Sequence, residues 1–135
     1  MAIMDKNKMN ISSVETYLNS VLDNKVSNNT HFGHMIEKAS IPDDCQDMVL
    51  IEIPDGIDDL HAYGRGAVLV WLYARPLLSG KKNVAVMSSL EKKLNEAIDS
   101  SNNGVYQLSR RITYTSYDTD IDWHCNAVEL NILIV

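Results

Sequence analysis

The chain has 135 residues and a formal charge of −6, with 45% apolar and 22% charged residues. Those proportions fit one soluble folded domain, 1–135, and exclude a disordered polymer. The longest apolar run, residues 67–74, is far short of the roughly twenty residues that cross a bilayer, so no membrane partner is expected.

Residues 1–11 are polar, lack a signal-peptide core and are expected to be flexible. Ser12 and Glu15 have the spacing of a capping box, and Val14, Tyr17, Leu18, Val21 and Leu22 follow on one face of a helix. Residues 26–46 have weak periodicity and read as a long ordered loop, with one helical turn near Met35 and Lys38. Residues 47–54 form a strand closed by Pro54 and the turn signal Asp55-Gly56. About twelve residues then precede the next strand, too many for a tight hairpin. They predict a protruding loop carrying Asp55, Asp58, Asp59, His61, Tyr63 and Arg65.

The next strand, 66–75, stops at Pro76. A second helix over about 84–100 buries Val86, Met87, Leu90, Leu94, Ala97 and Ile98, with Gly104 as its left-handed cap. Residues 105–117 alternate, placing Tyr106, Leu108, Ile112 and Tyr114 against Gln107, Arg111, Thr113 and Thr115, with Arg110 interrupting the apolar register. In the last strand Val128, Leu130, Ile132 and Ile134 share a face. The predicted class is α+β: an antiparallel four-stranded sheet with packed helices, in the order α-β-β-α-β-β.

The run "AVLVWLYA" is apolar on both faces, so something must cover both. Either the two helices lie on opposite faces, or a second subunit covers part of the strand; Val68, Val70, Trp71 and Tyr73 are then candidate interface residues. The charge is lopsided. Residues 1–66 hold five Lys/Arg against eleven Asp/Glu, residues 67–135 hold seven of each, and 43–59 contains seven acids and no base. That pattern gives no basic stripe for nucleic acid, and sequence-specific binding is not expected.

Catalytic motifs are missing. Gly80-Lys81 has Arg75 where a Walker loop needs its first glycine, and Lys82 where it needs Ser or Thr. Gly64 and Gly66 lead into a strand rather than a helix, and no Gly-x-Ser-x-Gly elbow occurs. His31, His34, His124, Cys45 and Cys125 lack zinc-site spacing, and with no export signal the two cysteines read as free thiols. Asp118, Asp120 and Asp122 imitate the start of a calcium loop, but Trp123 stands where the loop needs glycine, and Glu129 falls inside a strand. The expectation is a solvated hairpin tip, with no cofactor, no metal and no enzyme activity.

The succession "VLIEIPDG", "YGRGAVLVWLYARP", an amphipathic helix, "VYQLSRRITYTSYD" and "HCNAVELNILIV" resembles the tail terminator (tail completion) and neck ring proteins of tailed bacteriophages. The resemblance spans about residues 47–135, plus the N-terminal helix, and is one of pattern and length. It implies a non-enzymatic virion protein of the tail or neck, assembled in the host cytoplasm. Such a subunit forms a ring, with a hexamer favoured, that caps the tail tube and meets the head–tail connector proteins. It also implies an acidic lumen that DNA passes without sticking. Asp55, Asp58, Asp59, His61, Tyr63, Arg65, Asp118, Asp120 and Asp122 would face tube or neck proteins. Two alternatives remain: a metal-binding module or metal-dependent enzyme on loop 118–124, and a monomeric module whose acids at 43–59 bind a basic partner.

Overall fold

The computed structural model describes residues 5–33 and 36–135. It is an α+β fold in which two helices pack on a mixed sheet of six strands. The strands are β1 (Thr30–Phe32), β2 (Asp47–Glu52), β3 (Ile57–Asp59), β4 (Gly64–Ala74), β5 (Tyr106–Asp118) and β6 (Trp123–Ile134). The helices are α1 (Ile11–Leu22) and α2 (Val84–Asp99). Across the sheet the order is β1-β2-β4-β6-β5, with β3 also on β4. All pairs are antiparallel except β1 with β2.

The four-stranded antiparallel sheet and the order α-β-β-α-β-β are therefore corrected. The two extra strands have three residues each, too few to show a period of two in the sequence. Thr30–Phe32 lies in the stretch expected to be a loop, whose helical turn falls at Lys38–Ser40. Met35, also placed in that turn, lies outside the described residues. Ile57–Asp59 lies in the predicted protruding loop, which is instead a hairpin arm paired with the start of β4.

Along β4, β2 ends at the pair Glu52–Leu69 and β3 begins at Ile57–Gly66. Residues 53–56 therefore bulge beside only two residues of β4. Pro54 brings no N–H to the ladder, and Gly56 takes φ +75. The bulge folds tightly over Gly66, where an added Cβ would lie 2.7 Å from the Gly56 carbonyl oxygen and 2.8 Å from Ile57 Cδ1. Gly66→Ala is expected to cost about 1–3 kcal/mol through overpacking. It should lower the urea midpoint with the slope unchanged.

Both helices lie on one face of the sheet. Val14, Tyr17, Leu18 and Leu22 of α1 and Met87, Leu90 and Leu94 of α2 join the alternate residues Val68, Val70 and Leu72 of β4 and Val128, Leu130, Ile132 and Ile134 of β6 in one core. The helices thus do not sandwich β4 between them. At the other face Met48, Leu50, Tyr73, Trp123 and Cys125 are covered by Ile36, Ile41 and Cys45 from the long loop and by Ile121 from the β5–β6 turn. Arg75 fastens that loop: its Nε donates to the Cys45 carbonyl at 2.7 Å and a terminal nitrogen donates to the Pro42 carbonyl at 3.0 Å. The same guanidinium lies 4.8 Å from the centre of the Trp123 ring.

Helix ends also differ from expectation. Helix α1 starts after Asn10, so Ser12 and Glu15 sit inside it and form no capping box. Helix α2 is capped by Asn83, whose side chain accepts from the Val86 N–H, and it ends at Ser100; Gly104 belongs to the following turn. Before α1, Lys6–Met9 form a 3-10 turn tied to the body by Lys6 on Asp59 and by the Tyr106 hydroxyl on the Lys8 carbonyl. Among the described residues, no helix is long and apolar enough to cross a membrane.

Candidate functional site

The face away from the helices can be followed row by row from the strand register. Met48, Tyr73, Cys125 and Ser116 form one row; Leu50, Trp71, Ala127 and Tyr114 the next; Glu52, Leu69, Glu129 and Ile112 the third. The loop around Ile41 and Cys45 covers the first row and the β2 side of the second, where Leu50 is buried. Toward β5, and in the rows beyond, the face opens: Tyr114 is 50% exposed, Ile112 41% and Leu133 40%. Trp71 and Leu69 lie half-buried between them. The charges there are already paired: Arg111 with Glu129, and Glu52 accepting from the Trp71 indole N–H at 3.4 Å.

Strand β5 carries most of this exposure. Nine consecutive residues, 109–117, are exposed, including Ile112, Tyr114 and Tyr117. The sequence alternation there is misleading. Leu108 pairs with Ile132 and Arg110 with Leu130, but Ile112 pairs with Glu129, so Arg111 is an extra residue in a bulge. The bulge changes the parity of every later position. Tyr106 and Leu108 therefore face the helices, while Ile112 and Tyr114 face outward instead of joining them. The interruption noted at Arg110 in the sequence was the visible trace of this.

The proposed contact residues fall into two groups at opposite ends of the sheet. Asp55, Asp58, Tyr63 and Arg65 line one cleft of about 500 Å³ together with Asn131 and Leu133. Asp59 sits beside them, its carboxyl held below the usual range by the Lys6 ammonium and the His61 N–H, and His61 takes φ +68 in the hairpin loop. Asp118, Asp120 and Asp122 lie beyond the far end of β4, where Ala74 pairs with His124, while Gly64 pairs with Ile134 at the near end. At about 3.3 Å per residue the two groups are roughly 30–35 Å apart and cannot serve one site.

Within loop 118–124 the side chains diverge. Asp118 accepts from the Tyr73 hydroxyl at 3.1 Å and from the Asp120 N–H at 3.0 Å. Asp122 takes φ +58 and pairs with Lys38 at 2.7 Å. Asp118 pairs in register with Trp123 on the outward face, whereas His124 pairs with Tyr117 on the helix face and meets its ring edge-on at 5.0 Å. Among the described residues, buried His124 Nδ1 meets no hydrogen-bond partner. Ile121, the residue between the acids, is 1% exposed and plugs the second core. Among the described residues no three His, Cys, Asp or Glu side chains gather as a metal site requires. His34 lies outside the described residues.

Of the four candidate interface residues, Val68 and Val70 are fully buried beneath the helices and Tyr73 lies beneath loop 36–46. Only Trp71 reaches the open face. The signal that sequence reading missed is Leu69, Ile112, Tyr114 and Leu133, which the bulge and the β4–β6 register bring to that face. A groove of about 320 Å³ beside Trp71, Tyr73 and Asp118 adds relief to it. Tyr17 of α1 stacks on Tyr106 of β5 at 4.6 Å and donates to the Ser101 carbonyl at 2.7 Å.

Both cysteines are buried free thiols. Burial, aided by the Asp118 charge, pushes the Cys125 thiol up to about 11, and burial raises Cys45 and Tyr73 as well. A raised acid stays protonated in the fold while the unfolded chain ionises first, so its contribution is complete at low pH and is lost as pH rises. From neutral pH the urea midpoint is expected to stay level up to about pH 9, the ordinary thiol value, and to fall from there through pH 11. Cys125→Ala should flatten part of that fall. A midpoint that rises over this range would contradict the assignment.

No protein-family model matches the chain, and comparison with curated proteins finds no relative.

Proposed function

We propose that this chain is a structural, non-enzymatic subunit of a tailed-bacteriophage tail: a ring-forming tail terminator that caps the tail tube and joins it to the head connector. The observation that supports this reading is the open outward face, where Leu69, Trp71, Ile112, Tyr114 and Leu133 stand half-buried or exposed among Glu129 and Asn131. Clustered apolar side chains left exposed on a sheet face mark contact with another protein. The two acidic groups at opposite ends of the sheet suit a subunit that meets tube at one end and neck at the other. Side chains diverge at loop 118–124, which speaks against chemistry there.

The test is electron microscopy of tail tubes, assembled from purified tail-tube protein, after incubation with this chain. A ring of density at one tube end, and arrest of further tube growth, is the expected result. Unoccupied tube ends, together with intact tails assembled when the chain is omitted, would overturn the reading. Tight binding of a basic protein by a monomer, lost steeply with salt, would favour the acidic interaction module instead.

A further inference from the structure

We infer that the open edge of β5 pairs antiparallel with β5 of a second copy of this chain, about a twofold axis that passes through Tyr114 perpendicular to the sheet. The inference goes beyond the tail reading and does not rest on it. Strand β5 is the last strand on its side of the sheet, and its stretch 112–117, "ITYTSY", has no charge, proline or glycine to block another strand.

Two hydrogen bonds fix which backbone groups of β5 are open. The Tyr106 N–H donates to the Asn103 side-chain oxygen at 2.8 Å and the Leu108 N–H to the Ser101 hydroxyl at 3.2 Å, so both point away from β6. Their partners Ile134 and Ile132 then bond toward β4, and alternation along β6 turns Glu129, Ala127 and Cys125 toward β5. Ile112, Tyr114 and Ser116 answer them. The N–H and C=O groups of Thr113, Thr115 and Tyr117 are left pointing out of the sheet, with no partner among the described residues. The bulge at Arg111 thus turns over the backbone as well as the side chains.

The limits of the opening select the partner and the register. Ser101 and Asn103 close the edge up to Leu108, and the strand ends at Asp118, so the opening runs from Arg110 to Asp118 with Tyr114 at its middle. A second copy matches it in length and alternation. A twofold at the middle sets Tyr114 opposite Tyr114 and Ile112 opposite Ser116. Thr113 then meets Thr115, and these are residues whose open groups can exchange both bonds. Aromatic and threonine pairs stabilise neighbouring strands, whereas a centre at Thr115 would set Ile112 against Asp118. The axis keeps the faces, so Ile112 and Tyr114 of both copies form one cluster on the outward side. Direction is favoured by charge as well: antiparallel pairing sets Arg110 and Arg111 of each copy beside the Asp118 and Asp120 end of the other. These groups keep their bonds within the chain, Arg110 to Asn95 and Thr113, Arg111 to Glu129, and Asp118 to Tyr73. The charges therefore orient the pair, while backbone groups and the apolar cluster hold it. The contact is small, so the pair separates on dilution.

The experiment uses the full chain and three variants, Tyr114→Lys, Tyr114→Cys and Ile112→Cys. Both positions are exposed, and unchanged melting curves check that each variant folds. Sedimentation equilibrium across the micromolar to millimolar range should show the wild type passing from monomer to dimer. Tyr114→Lys sets two like charges directly opposite each other and should weaken the dimer roughly tenfold or more. Under oxidised glutathione, Tyr114→Cys should form a disulfide-linked dimer, because Cα atoms of a narrow pair lie about 4.5 Å apart, within disulfide reach. Ile112→Cys is the control: four residues of offset place it roughly 13 Å from its copy, too far to link. The native cysteines, Cys45 and Cys125, are buried and do not compete. A wild type that stays monomeric throughout, a Tyr114→Lys chain that pairs like wild type, or Ile112→Cys linking as readily as Tyr114→Cys would overturn the inference. None of these arms uses tail tubes. A dimer whose chain leaves tube ends bare keeps the pairing and removes the tail reading, and a strict monomer that caps tubes does the reverse.

Discussion

Leu72→Ala is expected to cost about 3–4 kcal/mol, a large share of the 5–15 kcal/mol that holds a typical domain together. Leu72 is fully buried near the end of β4 and belongs to the core under the two helices. Truncation removes buried methyl groups and leaves a cavity that neighbours fixed in a sheet cannot collapse to fill. For a chain of this size the loss should lower the melting temperature by roughly 10 °C. Leu69→Ala is the informative partner, because Leu69 lies on the same strand but on the outward face, half-exposed. It should cost less than about 1 kcal/mol in the isolated chain. Equal losses at the two positions would mean that the outward face is covered in the monomer, contrary to the face assignment.

Trp123→Ala should be nearly as severe, about 3–4 kcal/mol, with a local signature. Trp123 is 4% exposed and packs with Tyr73, Cys125, Ile121 and the covering loop. Its ring also carries the Arg75 guanidinium, a contact of about 0.5–1 kcal/mol that would be lost with it. Arg75 in turn holds the Pro42 and Cys45 carbonyls, so the loop 36–46 should loosen first. Limited proteolysis should find new cleavage in that loop below the global melting point. Asp120→Ala, an exposed change next to the plug Ile121, should move stability by less than about 0.5 kcal/mol. A reversed ranking would mean that the acids, not the apolar residues between them, organise the turn.

The contrast between these pairs also explains what the sequence could and could not convey. Helices α1 and α2 and the strand β6 were legible because each carries a long apolar period on one face. The two-sided burial of β4 was legible too, but not its cause. Helix periodicity tells which side of a helix is buried, not which face of a sheet it meets. Cover for the second face comes from residues 36–46, a stretch with no period to announce it. β1 and β3 were missed because three residues show no alternation, and β3 counted as loop because the bulge at 53–56 separates it from β2.

The candidate site was legible only in part. Asp55, Asp58, Tyr63 and Arg65 do gather in one cleft, yet the loop thought to carry them is a hairpin. Asp118, Asp120 and Asp122 belong to the opposite end, and their pairing with Tyr73, their own turn and Lys38 reads as turn chemistry. The apolar contact face was hidden because one extra residue at Arg111 turns Ile112 and Tyr114 over, and side-chain parity in a strand depends on register rather than on composition.

The account rests on β5 being an edge that another molecule covers. Hydrogen exchange followed by mass spectrometry, on the dilute chain and on the chain bound to tail tubes, tests that most directly. Amides of 109–117 that point away from β6 should exchange freely in the dilute chain and become strongly protected in the assembly. Particles that contain the chain but leave β5 exchanging as fast as in the dilute protein would contradict it.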